Sequence, residues 1–509
     1  MSGASDNRVP WAAVLVALAG FLALQTAAYL AVGGFEYPHD DPYIHLAIAE
    51  QITAGNYGVN AGEVAAAASS PLFPVLLTPF AGDPIQRYLP LAWNLMGLIL
   101  AAWLWGAILA RAGYRGVLGL VFALLGPIAL NMVGLSHVGM EHMLHTAASL
   151  AIVFGLLRFV DESVITAPLA IGIALAPLLR FEGLALALFA ALAVLLAGRR
   201  VGGAALVCLA ILPLAAFCLF LISQGLEPLP SSVRAKLANP HVEEPGLLGR
   251  LFDRIAALWD QRREQILALM IALAVLFAFQ PRLRPRRMLL VVTGLAALAH
   301  FFVGRFGWID RYEIYILCAL AAALLAVAAL GRSHIWSMLV LVPMGIALFL
   351  YGPLAVRLYP GAGLAVKVQQ AQMARFAKDY LQEPVAVNDL GYVAWANPNY
   401  VLDIWGLANA QALSLRLDQG AEPGWIGELT DAQDVRFAMV YDVWFSDELG
   451  ADWRLLGQLE TLVPSFYLGG DLVNFFLTDS EIDPEPYRAL LREWAEDLPP
   501  GARFEFSAP

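Results

Sequence analysis

The chain has 509 residues, 60% of them hydrophobic and only 14% charged, with a formal net charge of −11. A soluble domain is about half apolar and a quarter charged, so this composition excludes a soluble enzyme, a disordered chain and a disulfide scaffold. The charge is uneven: residues 361–509 hold 9 Lys and Arg against 23 Asp and Glu, whereas residues 1–360 hold 22 against 19. The chain therefore has two parts, a polytopic α-helical membrane part and an acidic tail. Cys208, Cys218 and Cys318 fall inside apolar runs and read as small buried hydrophobes.

Crossing the hydrocarbon core takes about 20 apolar residues in a helix, because lipid offers no partner to an unpaired backbone group. About eleven runs are candidate spans, near 11–32, 90–110, 116–134, 143–157, 164–179, 183–198, 202–222, 264–280, 288–303, 313–331 and 334–352. The first starts near Arg8 and lacks a small-residue cleavage site, which favours a retained helix over a removed signal peptide. Short cytoplasmic loops collect Lys and Arg. With the N-terminus inside, alternate loops hold Arg111 and Arg115, Arg158, Arg199 and Arg200, the PRLRPRR run from Pro281 to Arg287, and Arg332. The opposite side begins with a loop, Gly33 to Gln86, that holds no Lys or Arg. The acidic tail falls on that side too.

The expected arrangement is an odd number of spans with the N-terminus inside and the C-terminus outside. Residues 1–352 form the membrane part, with an external first loop at 33–89, and residues 353–509 form a soluble α/β domain. PRLRPRR reads as a topology and lipid-headgroup signal, and no nucleic-acid partner is expected.

In the first loop, Asp41-Pro42 is a helix-opening pair: the carboxylate caps free N–H groups, and Pro at the first helical position loses no hydrogen bond. Ile44, Ala47, Ile48 and Ile52 then repeat at helical spacing, which predicts an amphipathic helix at the membrane interface. Gly55, Asn56, Gly58 and Asn60 break it, and Ser70-Pro71 marks a second start. In the tail, PVAVND, VLDIWG, RFAMVYDVWF and DLVNFFLTD read as strands, and 364–382 and 484–497 as helices.

With this topology, ionisable residues at the ends of the runs share one side: Asp40, Asp41 and His45; Glu141, His142 and His145; Arg180 and Glu182; Arg234 and Lys236; Arg305, Asp310, Arg311 and Glu313. Charges near a bilayer are costly, so such a cluster is a site hypothesis. Asp40 or Asp41 can remove the proton from an acceptor hydroxyl. Arg180, Arg234, Lys236, Arg305 and Arg311 can hold a phosphate leaving group, Arg by bidentate bonding and Lys as a point charge. Glu141, His142, His45 and Glu182 complete the candidate binding set. No P-loop is present and ATP is not available outside the cell membrane, so an activated lipid phosphate is the sensible donor.

Arg180 and Glu182 are two apart and do not face each other on a helix, which makes a local ion pair a poor explanation for them. His137, His142 and His145 beside Glu141 carry a metal reading that competes with plain interfacial packing. His39 and His45 offer the same alternative for a divalent cation, and no other cofactor is implied. In the tail, Asn388, Asp389, Asp403 and Trp405 are surface candidates that turn chemistry explains equally well, and no catalysis is assigned there.

The block HDDPYIHLAIAEQITAGNYGVNAGEVAAAASSPLFPVLLTPF, residues 39–80, resembles the first external loop of the GT-C glycosyltransferases, in particular bacterial arabinofuranosyltransferases and protein mannosyltransferase-like members. The shared features are the acidic pair Asp40-Asp41, Asn60 with Gly62-Glu63, and Ser70-Pro71. GMEH at 139–142, RFEG at 180–183, SSVRAK at 231–236 and RYE at 311–313 are similar to later blocks in the same order, and VNDLGYVAW and LDIWGL extend the resemblance into the tail. The resemblance implies inverting transfer of a sugar from a polyprenyl-phosphate donor to an envelope glycan, lipid or protein, either metal-independent or loosely metal-assisted. A first-loop aspartate is then the base. Asp40 and Asp41 both match, with Asp41 less favoured because a capping carboxylate is already occupied. Where the group often shows Pro-Asn-Ser before its basic residue, this chain has Leu229-Pro230-Ser231-Ser232.

Three other functions compete, one of them a lipid-linked glycan ligase or polymerase, which shares the spans but has no special need of the Asp pair. A transporter or flippase of lipid-linked intermediates expects ionisable residues at mid-bilayer depth and related halves. A non-catalytic assembly factor expects a dispensable first loop.

Overall fold

The computed structural model describes residues 8–237, 249, 252, 254–256, 258–331, 333–417, 421–445 and 447–508. Each of the eleven apolar runs is helical. Among the described residues six helices are long and apolar enough to cross a membrane: Arg8–Val32, Pro84–Ala112, His142–Glu162, Arg200–Ser223, Pro281–Val303 and Ile335–Arg357. Gly116–Ala129, Ala167–Leu179, Gly183–Leu196 and Ile314–Ala328 are apolar but shorter. The shortening has local causes. The run at 116–134 stops at Asn131, whose backbone is left-handed, and Arg262–Phe279 opens on four polar residues before its apolar part begins.

Ile314–Ala328 is buried along its whole length. His142–Glu162 packs against it, and Leu89–Ala112, Ala167–Leu179 and Arg287–Val303 surround the pair. The outer helices turn Leu15, Leu22, Leu30, Leu212, Leu219 and Phe349 outward, a surface that water would penalise and lipid accommodates. Cys318 is buried as expected, whereas Cys208 is exposed on this outward surface, because Arg200–Ser223 packs along one face only.

The first-loop helix Asp41–Thr53 departs from expectation. Pro42 through Ala49 are all buried, so it is enclosed on every side rather than lying half-exposed at an interface. Ser70 accepts the Phe73 N–H at 3.1 Å, but the helix it opens, Phe73–Leu76, is only four residues long.

The tail covers the first-loop helix on one side, and the rest of the first loop and the bundle pack the others. The tail's six strands are β1 (Val385–Val387), β2 (Val401–Asp403), β3 (Phe437–Val440), β4 (Arg454–Thr461), β5 (Leu472–Leu477) and β6 (Ala502–Phe506). They form one mixed sheet in the order β2-β1-β3-β5-β4-β6. β1 runs parallel to β2 and β3, and the remaining pairings are antiparallel. Helix Pro484–Glu496 covers one face, with Trp494 against Phe376 and Phe475. The four expected strand runs are β1, β2, β3 and β5. β4 and β6 escaped because a register shift between Leu455 and Gly457 interrupts the alternation of one, and the other is a mostly exposed edge.

Loop and tail are stitched together by side chains, most of them acting on backbone. Asn60 donates to the Val401 carbonyl at 3.0 Å and accepts the Val401 N–H at 2.9 Å, so its amide extends the edge of β2. Its Nδ2 also donates to Glu63 at 2.8 Å, so the Asn60–Glu63 motif is a docking clamp. Ala396 N–H donates to Glu50 at 3.0 Å, and the Trp395 indole donates to Gln86 at 3.2 Å.

Candidate active site

A cavity of about 300 Å³ lies where the first loop, the later loops and the tail meet. Its walls include His39, Asp40, Asp41 and His45 from the first loop, Arg305, Trp308, Arg311 and Tyr312 from the loop before the central helix, and Asn388, Asp389, Trp405 and Trp444 from the tail.

The loop 304–313 is shaped by an unusual backbone. Gly307, Trp308, Ile309 and Asp310 all have positive φ, a conformation that costs the three non-glycine residues and persists only where neighbours hold it. They do hold it. Arg263 forms a short ion pair with Asp310, Tyr359 donates to the Ile309 carbonyl at 3.2 Å, and Gly307 N–H donates to Glu313 at 3.0 Å. The turn presents Trp308 and Arg311 to the cavity. Arg311 then donates to Asp41 at 2.6 Å and to His39 Nε2 at 2.7 Å. Burial, reinforced by Arg311 and opposed by Asp41, lowers His39 to about 3, which leaves it a neutral acceptor.

The two aspartates are not equivalent. Asp40, rather than Asp41, stands at the cap position of helix Asp41–Thr53, and its side chain makes no cap hydrogen bond. It turns to the tail instead, accepting Gly391 N–H at 2.5 Å and Tyr392 N–H at 2.8 Å. A Cβ at position 391 would collide with Asp40, so only glycine permits the approach. Asp40 is 4% exposed. Burial, with Asp41 adding repulsion, pushes its carboxyl up to about 7 against the pull of the tail's N–H groups. Asp389, beside it, is raised well above the usual range by burial and by both aspartates. Asp41 lines the cavity with 32% of its side chain exposed. The premise that capping occupies Asp41 therefore fails, and the tail-facing carboxylate is Asp40.

Of the other candidates, Arg305 lines the cavity together with His45. Arg180 does not. It donates to Glu141 at 2.6 Å and to both Glu182 oxygens at 2.8 and 3.2 Å. The expectation against an Arg180–Glu182 ion pair is thus overturned, because Arg180 ends its helix in an extended conformation and the helical spacing rule does not apply. Arg180 and Arg311 sit on the Tyr312 ring, each 5.2 Å from its centre, so Arg180 supports the cavity wall from behind. Glu141 is fully buried, 3.8 Å from His45, and His142 packs edge-on against Tyr312. Arg234 lies on helix Ser231–Leu237, whose Ser232 and Ala235, rather than Arg234, reach the cavity. The side chain of Lys236 lies outside the described residues, as does Arg332.

Among the described residues no group of three or more His, Cys, Asp or Glu side chains is arranged to hold a metal ion. His137 stacks on Phe21 and His145 on Tyr315, which is packing. In the tail, Asp403 accepts the N–H groups of Trp405, Gly406 and Ala408 and closes a turn. The sequence reading missed Arg263, although it opens a helix at this same end of the bundle.

A family model described as a domain of unknown function (DUF8728) matches residues 362–476. No curated protein matches the chain. Among solved structures, the chain is similar to the arabinofuranosyltransferase AftD from Mycobacteria, with 13% identity and a TM-score of 0.44 over 92% of this chain and 40% of that one. The chain thus spans less than half the length of that protein.

Proposed function

We propose that the chain is an integral-membrane glycosyltransferase that moves a sugar from a polyprenyl-phosphate carrier to an acceptor hydroxyl on the periplasmic side of a bacterial inner membrane. The observation that carries this reading is the convergence of Asp41, Arg311 and Arg305 on one cavity. Such a cavity sets a base beside cations suited to a phosphate leaving group. The basic loops at the other end of the bundle favour a cytoplasmic N-terminus, and all eleven helical runs count as spans in this arrangement.

Asp41 is the base, because its carboxylate is partly open to the cavity, whereas both Asp40 oxygens receive backbone N–H groups. The acceptor oxygen bonds to the anomeric carbon as the carbon–phosphate oxygen bond breaks. The hydroxyl proton passes to Asp41, and polyprenyl phosphate departs with the electron pair. Arg311, already bonded to Asp41, is placed to share its guanidinium with the phosphate, and Arg305 adds a second positive charge. Attack from the face opposite the phosphate inverts the anomeric centre.

The test is incubation of the purified chain with polyprenyl-phosphate sugars and an envelope extract. Release of polyprenyl phosphate with an inverted glycosidic product supports the reading. Transport of intact donor across the bilayer, with no bond broken, contradicts it.

A further inference from the structure

Eight cavity-lining residues come from the tail, and all eight fall inside the segment matched by the domain of unknown function. Trp405 and Trp444 meet edge to face at 4.7 Å. Neither ring is loose: the Trp444 indole donates to the Gly469 carbonyl at 3.0 Å, and the Arg416 guanidinium lies 3.7 Å from the centre of the Trp405 ring. Trp308 approaches from the membrane part with 57% of its surface exposed.

Polar groups on the same walls are left over. Asn388 is 3% exposed, and its Oδ1 accepts the Tyr441 N–H at 3.1 Å, yet its Nδ2 has no hydrogen-bond partner among the described residues. Tyr467 OH and Ser232 Oγ are likewise buried without a partner. A buried unsatisfied polar group costs about 1–3 kcal/mol, so these three, beside the equally unpartnered His39 Nδ1 and Arg311 Nε on the same walls, ask for a ligand that supplies several hydroxyls. The tryptophans ask for an apolar face on that ligand. An acyl chain would use the rings and leave the polar groups unpaired, and a phosphate would seek the arginines instead. A sugar ring offers both C–H faces and hydroxyls.

We propose that the tail is the acceptor-recognition half of the site and that the acceptor is a saccharide, its terminal ring held by Trp405, Trp444, Asn388 and Tyr467 with one hydroxyl toward Asp41. This rests on the transferase reading and selects one acceptor class from glycan, lipid and protein.

The test uses the full-length chain in lipid nanodiscs and saturation-transfer NMR with methyl glycosides of hexoses and pentoses, in pyranose and furanose forms. A peptide rich in Ser and Thr and glycerol phosphate serve as rival probes. At least one glycoside binds, its Kd rising about fivefold to tenfold in Trp405→Ala and about threefold in Tyr467→Phe, which removes one hydroxyl and keeps the ring. Binding of only the peptide or glycerol phosphate, of no probe, or of a glycoside with unchanged Kd in both variants overturns the proposal. Cleavage of a polyprenyl-phosphate sugar by the wild-type chain is measured in parallel. Cleavage without glycoside binding sinks the acceptor assignment alone, whereas absence of both cleavage and transfer sinks the transferase reading.

Discussion

The two ends of the helix bundle treat charge differently. At the end covered by the first loop and the tail, ion pairs reach across the chain with at least one partner sealed from solvent: Arg311 to Asp41, Arg180 to Glu141, Arg263 to Asp310. At the opposite end the carboxylates are more open: Arg158 and Glu162 pair one helical turn apart with each side chain 36% exposed, Arg111 pairs with the same Glu162, and Arg286 reaches Asp161, itself 23% exposed. Exposed pairs contribute about 0–1 kcal/mol, while removing one partner of a buried pair costs about 3–5 kcal/mol. Substitutions should therefore separate the two ends.

The largest effect is expected from Asp41→Asn, which lowers sugar transfer about 10²- to 10⁴-fold while the purified chain still folds and binds donor. Full turnover in this variant would return the base to Asp40 or remove it from both. Arg311→Ala follows, with a loss of about 10²- to 10³-fold in kcat/KM for donor, because the cation facing the leaving phosphate is gone. Gly391→Ala inserts a methyl group where Asp40 meets the tail and is expected to cost about 1–3 kcal/mol, read by thermal unfolding and by faster proteolysis of the tail.

The pH dependence is smaller and has a defined sign. Asp40 is raised from 3.8 to about 7, so the folded chain holds this proton more tightly than the unfolded one. Its contribution to stability is full below about 4 and is lost as pH rises through about 7. Asp389→Asn keeps a donor beside Asp40 without a titrating proton and should flatten the decline of the thermal midpoint over that window. The smallest effect is Arg158→Ala at the opposite end, within about 0.5 kcal/mol of wild type and without change in transfer.

Much of the first loop and most helices were legible in the sequence, because apolar runs of span length and the Asp41-Pro42 and Ser70-Pro71 signals act locally. The failures share a cause. Asp41 looked like a cap because Asp-Pro usually opens helices, but Asp40 holds the cap position and bonds to Gly391, 351 residues away. The loop helix looked interfacial because nothing in 41–53 foretells a tail folded over it. Arg180 and Glu182 looked unpaired because the spacing rule assumes a helix that ends at Leu179. Pairing across distant segments leaves no periodic trace: in the tail's share of the cavity Asn388, Asp389 and Trp405 stood out as surface candidates by residue type, whereas Trp444 did not.

The most direct measurement is photolabelling of the full-length chain by a polyprenyl-phosphate sugar with a diazirine on the sugar ring, followed by peptide mapping. Label on both the His39–His45 segment and the Asn388–Trp405 segment is the predicted result. Label confined to the Arg111, Arg158 and Pro281–Arg287 end of the bundle would contradict it.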